Sequence, residues 1–132
     1  MEIISYMRAD TKQIIDGAPD ITPLIGRWKN CNAETDHIAR LLLSSVDGAL
    51  RVQVFGANLP DPTDWGEVAA TPYASSGRLI AEGFHTKYDF GSVETWLAAN
   101  QKQGILVIQS YTSFKDGSGR PNIFAREFFH HG

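Results

Sequence analysis

The stretch Val46-Asp47-Gly48-Ala49-Leu50-Arg51-Val52-Gln53-Val54-Phe55 decides the fold reading. Leu50, Val52 and Val54 alternate with Arg51 and Gln53, which is the period of a half-buried strand. Asp47-Gly48, just before them, is a favoured two-residue hairpin turn. Residues 38–46 read as the strand that enters that turn. An antiparallel hairpin is therefore the starting point, and the neighbouring segments are read against it.

Upstream, residues 24–31 read as a first strand running through Trp28. Downstream, residues 58–66 contain Pro60 and Pro62, which cannot donate to a central ladder, so this part is a loop or an edge. Residues 67–73 read as a short strand. Residues 78–90 read as a long one, with Ile80, Phe84, Thr86, Tyr88 and Phe90 on one face. Residues 93–100 fit either a strand or a helix, because Val93, Trp96 and Leu97 also match a helical spacing. Residues 105–114 are rich in β-branched side chains. A turn with Asp116-Gly117 and Gly119 then leads to a last strand over 122–130. The expectation is an all-β domain: an eight-stranded antiparallel up-and-down barrel. Eight strands can just fill a barrel interior or hold one small ligand, and closure removes exposed edges. Residues 1–23 stand apart as an N-terminal arm or short helix, with Asp10 placed to cap a turn through Ile14 and Ile15 that ends at Gly17 and Pro19. The organisation is thus an arm over 1–23 and one barrel domain over 24–132.

Composition narrows the function classes. A chain of 132 residues fits one domain and buries roughly two thirds of its unfolded surface. The formal net charge of -3 argues against a general nucleic-acid binder. The single cysteine, Cys31, rules out an internal disulfide framework and reads as a small packed side chain rather than a catalytic thiol. No secretory signal is legible, and no apolar run approaches the ~20 residues of a membrane span. Cytoplasmic residence is the resulting expectation, with no membrane partner.

Gly26-Arg27-Trp28 opens the first strand and resembles the Gly-x-Trp of the calycin superfamily, which comprises lipocalins, fatty-acid-binding proteins and avidins. Trp28-Lys29-Asn30 is similar to the Trp-x-Asn of avidins. Arg126 resembles the arginine that packs across that tryptophan in calycins. The strand pattern of the likeness covers residues 24–130, and the motif itself is three residues long. The resemblance implies a calycin-like barrel around a small ligand, with Trp28 and Asn30 near it. The rest of the avidin biotin set is missing here, so biotin is not the implied ligand. The lipocalin disulfide and secretion signal are also missing. Asp64-Trp65-Gly66 and the turn from Asp116 to Arg120 resemble features of small bacterial proteins of this size, a likeness that brings no activity with it. Fold alone does not fix function.

Tyr88, Gln109 and Tyr111 are half-apolar donors of the kind that orient a ligand in a mostly apolar pocket, or that pack with a polar tip in water. Arg126 sits in a strand with apolar residues on both faces (Phe124, Ala125, Phe128, Phe129). It is either a structural cation over Trp28 or a ligand anchor inside the barrel. Glu82 shares a face with Ile80, Phe84 and Tyr88. Facing inward, it would have a raised pKa and act as a general acid or base; near the strand end, it would meet solvent. His37, His85, His130 and His131 show no metal-ligand spacing, so no metal is expected. No nucleophile elbow, P-loop or dinucleotide fingerprint appears, and no cofactor is expected. The turn Asp116-Gly117-Ser118-Gly119-Arg120 opens no helix and reads as a hairpin rather than a phosphate cradle.

Three functions fit these residues. The first is binding of a small, largely apolar molecule inside the barrel, through Trp28, Asn30, Tyr88, Gln109, Tyr111 and Arg126. The second is a cofactor-free cyclase or isomerase that shapes a flexible substrate, with Glu82 as its catalytic acid or base. The third is a filled barrel serving as an interaction module, a homodimer held by an exposed aromatic such as Phe129.

Overall fold

The computed structural model describes residues 17–57, 62–75 and 77–132. Asp47 and Gly48 both take positive φ, +52° and +81°, and the flanking Val46 and Ala49 pair across them. This is the two-residue turn whose twist matches the strands it joins. The alternation beyond it also holds: Leu50, Val52 and Val54 are buried, while Arg51 and Gln53 bridge outward to Glu67 and Asp64.

Among the described residues nine strands form: β1 (Gly26–Asn30), β2 (Ile38–Val46), β3 (Ala49–Gly56), β4 (Thr63–Ala69), β5 (Thr71–Ala74), β6 (Ala81–Asp89), β7 (Val93–Lys102), β8 (Ile105–Phe114) and β9 (Ile123–His131). They form one antiparallel sheet in the order β4-β3-β2-β1-β9-β8-β7-β6-β5, with β1 and β9 paired to each other. The result is an up-and-down, nearly closed barrel. The count is nine rather than eight because the segment read as one strand over 67–73 is split at Ala70. Its first part pairs with β3 and its second with β6. The strand reading of residues 93–100 is the correct one of the two, since β7 pairs with β8 through ten residue pairs. The stretch read as a loop or edge over 58–66 gives way to strand at Thr63.

Side chains of β6 close the seam between the two sheet edges. The Thr86 hydroxyl donates to the Ala69 carbonyl at 2.6 Å. The Tyr88 hydroxyl donates to the Gly66 carbonyl at 2.7 Å, with the Val52 carbonyl farther away at 3.3 Å. It also accepts from the Val54 N–H at 3.1 Å. Trp65 lies flat against β3 at Gly56, where a Cβ would stand 2.5 Å from its indole nitrogen. Any larger residue at 56 would displace Trp65.

The two ends of the barrel differ. At one end, Ile21, Leu24 and Ile25 pack against the core, and a 3-10 turn at Thr22–Leu24 places the Leu24 carbonyl to accept from the Trp28 indole N–H at 2.9 Å. Asp20 joins the chain ahead of β6, its N–H donating to Leu79 and its carbonyl accepting from Ala81. Leu24, Trp28, Leu41, Leu106 and Phe129 are all sealed from solvent. This is the closed end. The helix expected around Asp10 to Ile15 lies outside the described residues. At the other end, the β1–β2, β6–β7 and β8–β9 connections surround a polar mouth.

Candidate functional site

Polar side chains occupy the inner face at the mouth. In β8 the inward positions run Leu106, Ile108, Ser110, Thr112, so the lining changes from aliphatic to hydroxyl along one strand. Thr112 bonds Thr95 of β7, hydroxyl to hydroxyl, at 3.0 Å. Ser110 bonds the Nε2 of His37 at 2.9 Å. His37 comes from the connection between β1 and β2 and reaches over the barrel wall. Asp36, His37, Ser110, Thr112, Ile123, Phe124 and Ala125 line an open pocket of about 290 Å³.

His37 is held from behind. The Glu127 carboxylate on β9 accepts from the Asn30 amide at 2.7 Å, from the Thr35 hydroxyl, and from the Ile38 N–H at 3.3 Å. The Thr35 hydroxyl in turn accepts from the His37 N–H at 3.1 Å. One carboxylate therefore fixes both sides of the segment that presents the imidazole. Hydrogen bonds to a charged group are worth roughly 1.5–3 kcal/mol each, enough to hold so short a connection in one shape. Trp65 meets the His37 ring edge-on at 5.8 Å, and Tyr88 and Phe90 at 5.5 and 5.8 Å.

The Ser110–His37 pair has the contact distance of a nucleophile and its base. Among the described residues no carboxylate bonds the other imidazole nitrogen, so the orienting third member of such a system is not in place. What the arrangement offers is hydrogen bonding. His37, Ser110 and Thr112 line a compact space together with the apolar Ile123, Phe124 and Ala125.

The residues singled out from sequence fall in three places. Trp28 and Asn30 are buried and engaged structurally. Trp28 packs at the closed end, and the Asn30 amide bonds Ile38 and Glu127 while its oxygen accepts from the Asn32 N–H. Tyr88 points inward but serves the seam. Burial raises its hydroxyl to about 12, opposed by the Val54 N–H and helped by Asp64 and Glu67. Gln109 and Tyr111 share an outward face, as does Arg126, whose guanidinium lies 5.6 Å from the Phe128 ring. Arg126 does not pack on Trp28, because its parity is opposite to the inward residues Glu127 and Phe129. The register puts His131 opposite Trp28, and the rings stand 3.8 Å apart. Glu82 sits beside the bulge at the start of β6, near the closed end, bonded to the Ser75 hydroxyl and paired with Arg78. Phe129 is fully buried, so it is not an exposed dimer contact; Phe124, Tyr111 and Trp96 form the outer aromatic row.

Comparison with protein-family models, with curated proteins and with solved structures finds no match for the chain. The site therefore stands on its geometry. Sequence reasoning missed His37, Ser110, Thr112 and Glu127. Ser110 and Thr112 lie on the face opposite Gln109 and Tyr111, so one inverted parity hid both. The signal was present: the series Leu106, Ile108, Ser110, Thr112 ends in hydroxyls that suit a barrel mouth. Among the described residues no three potential metal ligands converge, and no helix is long and apolar enough to cross a membrane.

Proposed function

We propose that this chain binds a small molecule at the open end of its barrel, with His37 and Ser110 holding the ligand's polar group. The observation that carries this reading is the 2.9 Å His37–Ser110 hydrogen bond inside an open pocket of about 290 Å³. Ligand pockets typically start near ~300 Å³, and liquid water takes about 30 Å³ per molecule. The space thus suits a compact ligand displacing roughly ten waters, and is too small for a long lipid chain. A mostly apolar body would rest on Ile123, Phe124 and Ala125, and a hydroxyl, carbonyl or amide would meet the imidazole.

The barrel's middle and closed end are filled by Trp28, Phe84, Leu97, Ile108 and Phe129. This moves the site from the barrel interior to its mouth and keeps the calycin-like idea of a barrel with one ligand entrance. The cyclase alternative draws no support, since Glu82 faces Ser75 and Arg78 far from the mouth. The test is a ligand-observed NMR screen of neutral fragments against the native chain and Ser110→Ala. Hits that lose binding in Ser110→Ala are expected. A library that yields no hit, or hits indifferent to the substitution, would sink the proposal.

A further inference from the structure

The outer wall of β1 and β2 carries an unusual concentration of unbalanced charge. Lys29 stands directly opposite Arg40 across the β1–β2 ladder, and His130 stands opposite Lys29 on the other side. Arg27 lies on the same outer face two residues before Lys29. Like charges directly opposite each other on a sheet are destabilising. Several cations elsewhere are balanced: Arg51 with Glu67, Lys87 and Lys115 with Glu94, Arg120 with Asp116. Among the described residues Arg27, Lys29 and Arg40 have no carboxylate partner, although the chain as a whole is acidic.

These cations border a groove of about 540 Å³, larger than the mouth pocket. Its floor is apolar, with Ala39, Leu42, Phe55 and Pro62. The Arg40 guanidinium lies over the Phe55 ring at 4.5 Å, which turns one face of the cation to the floor and leaves its N–H edge free. Leu42, 37% exposed, is an apolar side chain left in water beside three cations.

We infer that this groove binds a single amphiphilic anion, with a carboxylate or phosphate head on Arg27, Lys29 and Arg40 and an apolar tail on Leu42 and Phe55. Charge complementarity sets the head: guanidinium groups bind carboxylates and phosphates through two parallel hydrogen bonds. An anion between Lys29 and Arg40 also offsets their mutual repulsion. The apolar floor sets the tail. This site is separate from the barrel mouth and does not depend on it.

Isothermal titration with monomeric decyl phosphate tests the proposal, with decanol and inorganic phosphate as the two half-ligands. Decyl phosphate is expected to bind roughly tenfold or more tightly than either, since one charge-assisted contact is worth about that factor. The Lys29→Gln/Arg40→Gln variant is expected to lose a similar factor. Its melting temperature is expected to stay at or above that of the native chain, because a repulsive pair is gone. Arg27→Gln is the second variant if the double one folds poorly. Arg126→Gln, an exposed cation outside the groove, is expected to bind normally. Equal binding of decanol would remove the cations from the account, and equal binding of inorganic phosphate would remove the floor. An equal loss in Arg126→Gln would reduce the effect to net charge. Binding to phosphatidylglycerol vesicles without binding of monomeric decyl phosphate would make this a membrane-facing surface and overturn the single-molecule site.

Discussion

The two ends of this barrel are made from the same strands but from opposite chemistry. The closed end is sealed by Leu24, Trp28 and the His131 ring, with the one polar atom of Trp28 bonded to a backbone carbonyl. At the mouth, Ser110, Thr112, Thr95 and His37 occupy the corresponding inner positions and leave a space beside them. Apolar burial is non-directional and fills space, whereas hydroxyl and imidazole groups need partners at fixed positions. An end built for stability therefore packs solid. At the mouth these groups pair with one another, His37 with Ser110 and Thr95 with Thr112, in place of apolar packing.

Substitutions at each end should separate stability from binding. Trp28→Ala is expected to have the largest effect, a loss of about 3–5 kcal/mol in urea unfolding, as for other buried aromatic truncations. A small loss would mean the closed end is looser than its packing implies. Glu127→Ala removes the acceptor of Asn30, Thr35 and Ile38. It is expected to cost about 1.5–3 kcal/mol and to broaden the His37 amide signal. A sharp, unshifted His37 signal would show that the connection holds its shape without the carboxylate.

Tyr88→Phe is expected to cost about 1–3 kcal/mol, because the Val54 N–H loses its partner. It also carries a pH signature. Burial raises the Tyr88 hydroxyl from an ordinary 10 to about 12. The unfolded chain then ionises first, so the stabilisation is complete below pH 10 and is lost as pH rises from about 10 towards 12. At ~1.36 kcal/mol per unit this is on the order of 2–3 kcal/mol, and the native chain should show it while Tyr88→Phe does not. Parallel pH–stability curves for the two proteins would contradict the buried hydroxyl. Ser110→Ala is expected to have the smallest effect on folding, within about 1.5 kcal/mol. Its effect should appear in ligand affinity, which keeps the two ends distinct.

Much of the barrel was legible in the sequence where the two faces of a strand differ in polarity. Leu50, Val52 and Val54 against Arg51 and Gln53 allow one orientation only, and a slip of one residue would bury a guanidinium and an amide. In β8 and β9 this contrast fails. Ile105 and Val107 are as apolar as Leu106 and Ile108, and Phe124 and Phe128 are as apolar as Phe129. Inward parity there is set by pairing with neighbouring strands, so the sequence leaves open which side of the wall Gln109, Tyr111 and Arg126 take, and the structure puts them on the outside. The site was less legible than the fold. His37 lies in a connection with no periodic signal, and its partner Ser110 is brought to it only by the pairing of β9 with both β1 and β8.

The central claim is that the mouth, not the filled interior, receives the ligand. Amide shift mapping on the isotopically labelled chain, with the tightest neutral fragment from the screen, tests it most directly. Shifts concentrated at His37, Ser110, Thr112 and Ala125, with Leu24, Trp28 and Phe84 unmoved, are the expected result. Shifts centred on Leu24, Trp28 and Phe84 would place the ligand at the closed end and contradict the account.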